Sequence, residues 1–219
     1  YEQSAMRRRI GSKPPPSEPY TLVRSSGVVL GPRLEPKAVR LPLDGSPSMG
    51  KRAAPLTLVL FRDPIGMEDA RFSVGLEDWL RRVVSAGRVR VVFKHVVDPR
   101  RMGSELAALA VLAADRLGKY TEYVRALFAN RGKRSADKLI AYARDVDLDP
   151  KRFAQLLRDM TVSQQLGRDR RLAAELKITR TPALFINGHR VLTDGPLEVD
   201  VVRELVRRRV KRESRDSKR

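Results

Sequence analysis

There is no cysteine among the 219 residues. That absence excludes disulfides, thiolate metal ligands and every reaction that runs through a thiolate. Histidine is nearly as scarce, with only His95 and His189. Without thiolates a metal would need both rings plus carboxylates, and the spacing offers no ligand pattern, so neither metal nor cofactor is expected and the two rings read as structural or solvated. Gly27, Gly31, Gly45 and Gly50 stand isolated, which leaves no phosphate-cradling loop. Ser25, Ser46 and Ser48 lie in loop chemistry with no G-x-S-x-G elbow around them. Aromatic residues make up 5% of the chain, few to stack on bases beside its basic runs. No apolar run approaches the roughly 20 residues of a membrane span. No catalytic constellation survives these exclusions.

What is present is charge. Lys and Arg number 45 against 26 Asp and Glu, a formal net charge of +19 carried mostly by arginine. A field of that sign favours acidic partners, nucleic acid or anionic membrane surfaces and says nothing about fold. Runs occur at Arg7, Arg8 and Arg9, at Arg207, Arg208 and Arg209, and at Lys211-Arg212; Arg168, Arg170 and Arg171 add a helical cluster. The first two runs are the candidate contacts for an acidic protein or peptide partner. A merely solvated basic surface and a polyanion or nucleic-acid binder remain the competing readings, the latter weaker because no recognised nucleic-acid module is present. The oligomeric state is not legible. The chain opens on Tyr1 rather than methionine, which points to a processed or trimmed product.

Along the chain, residues 1–54 read as a basic, Pro-rich extension. Lys13-Pro14-Pro15-Pro16 favours extended conformation. Tyr20–Val23 and Val28–Leu30, split by Ser25-Ser26-Gly27, suggest a small hairpin, and Val39–Leu43 an edge strand. From Leu56 the pattern sharpens. Leu56–Phe61 is a near-continuous apolar run, as in a buried parallel strand. A helix with Leu76, Trp79, Leu80, Val83 and Val84 on one face follows, then a second strand at 88–94, completing a βαβ unit. Residues 101–177 carry several helical stripes, with Ser135 as an N-cap and Pro150 at a first helical position. Ala183–Ile186 and His189–Leu192 flank Asn187-Gly188, the strongest short hairpin signal because both turn positions need positive φ. A closing helix from Leu197 gives way to a basic tail, 209–219, expected to lose order.

Strand, helix, strand, helical insert, hairpin and final helix is an α/β order that resembles the DsbA-like family: a thioredoxin-like fold with an inserted helical subdomain. Particular stretches carry the resemblance: Ala54–Asp63, Val91–His95, Gly118–Asn130 and Thr181–Gly188. It implies a domain over 55–208 with its helical insertion at about 101–177. It also implies a cis proline at Thr181-Pro182 facing a Cys-x-x-Cys turn, and a peptide groove between them. In this chain the motif positions read Gly66, Met67, Glu68 and Asp69. Thiol-disulfide exchange is therefore excluded. Glu68 and Asp69 are expected as exposed first-turn acids using the helix dipole in place of a thiolate, with an acidic recognition patch or an acid/base pair as the weaker alternative. The expectation is a redox-inactive peptide- or protein-binding or scaffold subunit, not an enzyme. The resemblance implies a periplasmic or envelope-associated bacterial setting and leaves the cytoplasm open.

Overall fold

The computed structural model describes residues 21–24, 27–30, 32–130, 132 and 134–216. Eight strands occur within them: β1 (Thr21–Arg24), β2 (Gly27–Leu30), β3 (Arg33–Leu34), β4 (Ser48–Met49), β5 (Leu56–Arg62), β6 (Val89–His95), β7 (Ala183–Ile186) and β8 (His189–Leu192). Seven helices accompany them: α1 (Met67–Ser85), α2 (Ser104–Arg116), α3 (Tyr120–Ala129), α4 (Ala136–Asp145), α5 (Pro150–Leu156), α6 (Met160–Glu175) and α7 (Val199–Asp216). β1 and β2 form the anticipated hairpin on their own, pairing Thr21 with Leu30 and Arg24 with Gly27. The other six strands form one sheet in the order β3-β8-β7-β5-β6-β4.

The sheet follows from the apolar run at its centre. β5 pairs in parallel with β6, Leu56 against Val89 through Arg62 against His95, and antiparallel with β7. Alternation sends its side chains to opposite faces. Leu56, Leu58 and Leu60 join α1, α7 and the inserted helices in the larger core. Val59 and Phe61 join Leu172, Ala173, Ile178 and Phe185 on the other face. Both faces are covered, which is why the run shows no polar alternation.

Helices α2 to α6 form the insert. Ala107, Ala108, Ala110, Ala113 and Ala114 of α2 are all fully buried, and their small side chains let neighbouring helices approach closely. Ser135 caps α4 by accepting from Lys138 N at 3.4 Å, and Asp149 caps α5 by accepting from Arg152 N at 2.6 Å with Pro150 in the first turn. Asn187 and Gly188 take φ values of 47° and 81° between β7 and β8, as a two-residue hairpin requires.

Two expectations are corrected. Val39–Leu43 is not a strand; Pro42 has no N–H for a ladder, and Val39, Leu41 and Leu43 instead pack on the second core, with Val39 N donating to Gly188 O. The sheet edges are supplied by the short β3 and β4, which hydropathy did not single out. The charged segment from 209 also does not lose order at once. α7 continues to Asp216, and Glu204 pairs with Arg207 and Arg208 one turn on, the spacing that stabilises an exposed helix. Residues 217–219 lie outside the described residues.

Candidate functional site

The end of β5 turns into α1 through Asp63-Pro64-Ile65-Gly66. Asp63 holds that turn: its carboxylate accepts from Ile65 N at 3.0 Å and its carbonyl from Gly66 N at 3.0 Å. Ser104 Oγ, at 3.4 Å, and Arg101, at 3.5 Å, reach the same carboxylate from the far side. Burial outweighs these contacts and holds the Asp63 carboxyl above its ordinary range. Gly66 is the N-cap of α1, with extended backbone and no capping side chain.

The first turn of α1 divides its two acids. Glu68 is exposed and pairs with Arg71 at 3.1 Å. Asp69 is not the exposed acid anticipated: only 1% of it is accessible. It points inward because the chain that closes over it comes from a distant segment. Thr181 Oγ1 donates to Asp69 Oδ2 at 2.7 Å, while Oδ1 has no hydrogen-bond partner. Burial pushes the Asp69 carboxyl up to about 7, against smaller opposing effects of the Thr181 hydroxyl and the Arg62 charge.

Gly66 and Asp69 depend on each other. A Cβ placed on Gly66 would lie 2.5 Å from Asp69 Oδ2. The carboxylate of residue 69 thus occupies the space into which a side chain at residue 66 would extend. The turn is closed by an acid where a pair of side chains would otherwise face each other.

The Thr181-Pro182 bond is cis, and β7 starts at the next residue. A groove of about 760 Å³ runs along this segment, bounded by Asp63, Glu68, Asp98, Arg101, Thr181 and Pro182 among others. Gly66, Glu68, Asp69, Thr181 and Pro182 are thus brought together or close to it, whereas Met67 is 54% exposed. Arg207, Arg208 and Arg209 lie on α7 and do not line this groove. Arg7, Arg8 and Arg9 lie outside the described residues.

Beneath the turn lies a buried polar row that hydropathy alone did not single out. Arg62 sits over the rings of Phe93 and Phe128, 5.7 and 5.1 Å from their centroids, and donates to Ser73. Lys94 Nζ meets Asp169 Oδ1 at 3.1 Å, and His95 N donates to Asp169 Oδ2 at 3.0 Å. Gln165 donates to Asp169 Oδ1 at 3.0 Å, and His95 Nε2 lies 3.2 Å from Tyr120 Oη. Burial alone would raise the Asp169 carboxyl; His95 and Lys94 together outweigh it and hold the group below the usual carboxylate range. The available signal was charge placed directly after apolar strand residues, in Phe61-Arg62-Asp63 and Phe93-Lys94-His95. Among the described residues no cluster of three or more His, Asp or Glu could hold a metal ion.

A family model described as thioredoxin matches residues 43–208. Oxidised BdbD from Bacillus subtilis superposes with a TM-score of 0.70 at 22% identity, covering 80% of this chain and 97% of that one. A thioredoxin-like oxidoreductase from Silicibacter pomeroyi gives 0.64 at 25% identity over 77% and 94% of the two chains. The α-DsbA1 of Wolbachia pipientis gives 0.66 at 19%, over 78% and 94%. Among curated proteins, Na⁺/H⁺ antiporter NhaA 3 of Salinispora tropica is 28% identical over 158 residues, which is 70% of this chain and 23% of the antiporter. NhaA 1 of Salinispora arenicola is 29% identical over 146 residues, 64% of this chain and 21% of that protein. The chain thus spans between a fifth and a quarter of the length of the curated relatives it matches. No described helix is long and apolar enough to cross a membrane.

Proposed function

The chain belongs to the thioredoxin family, with a DsbA-like layout and no cysteine, and on that footing we propose that it is a redox-inactive binding or scaffold module for a protein or peptide partner. The observation that carries the reading is the exchange at the turn. The Asp69 carboxylate fills the space a side chain at Gly66 would take, yet the Thr181-Pro182 segment still borders an open groove of about 760 Å³. An extended peptide would lie along the backbone ahead of β7, as a strand adds to an edge. The domain performs no reaction of its own in this reading. Arg207, Arg208 and Arg209, with Arg7, Arg8 and Arg9, add attraction for acidic surfaces of the partner. The partial likeness to Na⁺/H⁺ antiporters supports a place at the bacterial envelope, beside a membrane transport protein.

The test is an array of extended peptides, followed by calorimetric titration of the best binder at low and high salt. Saturable binding that survives high salt and is lost in Thr181→Arg is expected. Binding indifferent to Thr181→Arg would remove the groove. Affinity for random DNA that collapses with salt, with no peptide binding, would replace it with the polyanion reading.

A further inference from the structure

Arg62, the last residue of β5, is a cation only 5% exposed. Its Nη2 donates to Ser73 Oγ of α1, and its guanidinium lies over the rings of Phe93 and Phe128. The Tyr120 hydroxyl is close enough to feel its charge. Its Nε is buried and has no hydrogen-bond partner. Among the described residues no carboxylate makes an ion pair with it, and Asp69 acts on it only from beyond contact.

That balance is incomplete. A guanidinium does not shed its charge in a protein. The cost of burying an ion exceeds what ring faces and one neutral hydroxyl offset. Lys94, also buried, shows the usual solution, with Asp169 in contact at 3.1 Å. Arg62 has no such acid.

It has a cavity instead. A space of about 30 Å³ lies beside Arg62, between α1 and α3. Leu76, Leu80 and Val124 give it apolar walls, while Arg62, Ser73 and Tyr120 bring donors to it. The other charges that line it are already paired, Glu77 with Arg125 and Arg81 with Asp78. Arg62 alone among its charged groups has no ion-pair partner among the described residues. A space of this size holds one or two water-sized spheres. Water could take up Nε but brings no charge. Phosphate and sulfate, with four oxygens around a central atom, are too large.

We propose that this cavity is a binding site for a single halide ion, with chloride the common member of the class, held by the Arg62 guanidinium and the hydroxyls of Ser73 and Tyr120. Ser73 Oγ accepts from Arg62 and keeps its own O–H to donate. Tyr120 keeps its O–H free when His95 Nε2, 3.2 Å away, is the donor of that pair. The ion ties β5 to α1 and α3 and stabilises the fold by mass action, because the unfolded chain has no such site. No residue of this cavity lines the groove beside Thr181-Pro182, so the site stands or falls independently of peptide binding there.

The full chain is exchanged into sodium gluconate, and its melting temperature is followed as chloride or bromide replaces gluconate at constant ionic strength. A saturable rise of about 3–6 °C is expected by tenfold excess over Kd. Arg62→Met leaves the surface arginines in place and should abolish the rise. Crystals soaked in bromide and measured at the bromine absorption edge locate the ion without any variant; an anomalous peak touching Arg62 Nε is expected. A cavity that holds water alone or stays empty in those crystals, bromide confined to surface arginines, or a halide response of equal size in Arg62→Met overturns the proposal.

Discussion

Asp69 and Asp169 are buried to the same degree, 1% and 0% exposed, and their carboxyls move in opposite directions. Asp69 closes the turn at the groove with one hydroxyl partner and one oxygen left alone. Asp169 sits inside the fold against the Lys94 ammonium, the His95 N–H and the Gln165 amide. Burial penalises the charge in both; only the interior site supplies a cation in contact to repay it. The groove region is therefore built around a carboxyl that favours its proton, and the interior around one that stays ionised.

The comparison is broken most severely by Lys94→Met. The variant leaves Asp169 as an uncompensated buried charge and should cost about 3–5 kcal/mol in chemical denaturation. Adding Asp169→Leu should recover much of that loss. If the two changes are merely additive, the pair is not coupled and the contrast with Asp69 is only local.

pH separates the two carboxyls by sign. The folded Asp69 value of about 7 lies above the ordinary 3.8, so between them the native state holds more protons than the unfolded chain. Its stabilisation is complete below the ordinary value and is lost as pH rises through 7, by at most about 4 kcal/mol at 1.36 kcal/mol per unit. Asp169 works the other way: its contribution is present above the ordinary carboxylate range and is lost as pH falls through its depressed folded value. Asp69→Asn should flatten the decline between pH 4 and 7 in urea midpoints and leave the acid limb. An unchanged decline would show that another group carries it.

Gly66→Ala probes the turn. Its backbone is extended, so the cost comes from the clash with Asp69 Oδ2 and should be about 1–3 kcal/mol. In an Asp69→Ser background the cost should shrink; equal costs in both would mean that the carboxylate does not hold that space. The smallest effect is expected at Arg71, where Arg71→Ala should change stability by no more than about 0.5 kcal/mol, because its pair with Glu68 is exposed on both sides.

The fold was legible because its signals are local. Leu56–Phe61 read as a buried strand, Asn187-Gly188 as a hairpin turn and Asp149-Pro150 as a helix start, and each depends on neighbours a few residues away. Thr181-Pro182 and Gly66–Asp69 were singled out through the family resemblance, and the structure brings Thr181 to Asp69. What went unread depended on distance along the chain. Asp69 looked like an exposed first-turn acid because its sequence neighbours cannot show that Thr181, 112 residues on, closes over it. Asp169 drew no reading at all, because it stands among Arg168, Arg170 and Arg171 in sequence while Lys94 and His95 lie 75 and 74 residues away.

By itself the sequence determined that no thiol chemistry occurs, that the surface is strongly basic, and that an α/β core with a helical insert forms. Those follow from composition and periodicity, which need no knowledge of what meets what. The tertiary structure alone decided which carboxyl is pushed up toward neutral pH and which is held below the ordinary range. Burial and ion pairing arise from contacts between remote segments, and a carboxyl's proton affinity depends on those contacts more than on the residue's identity.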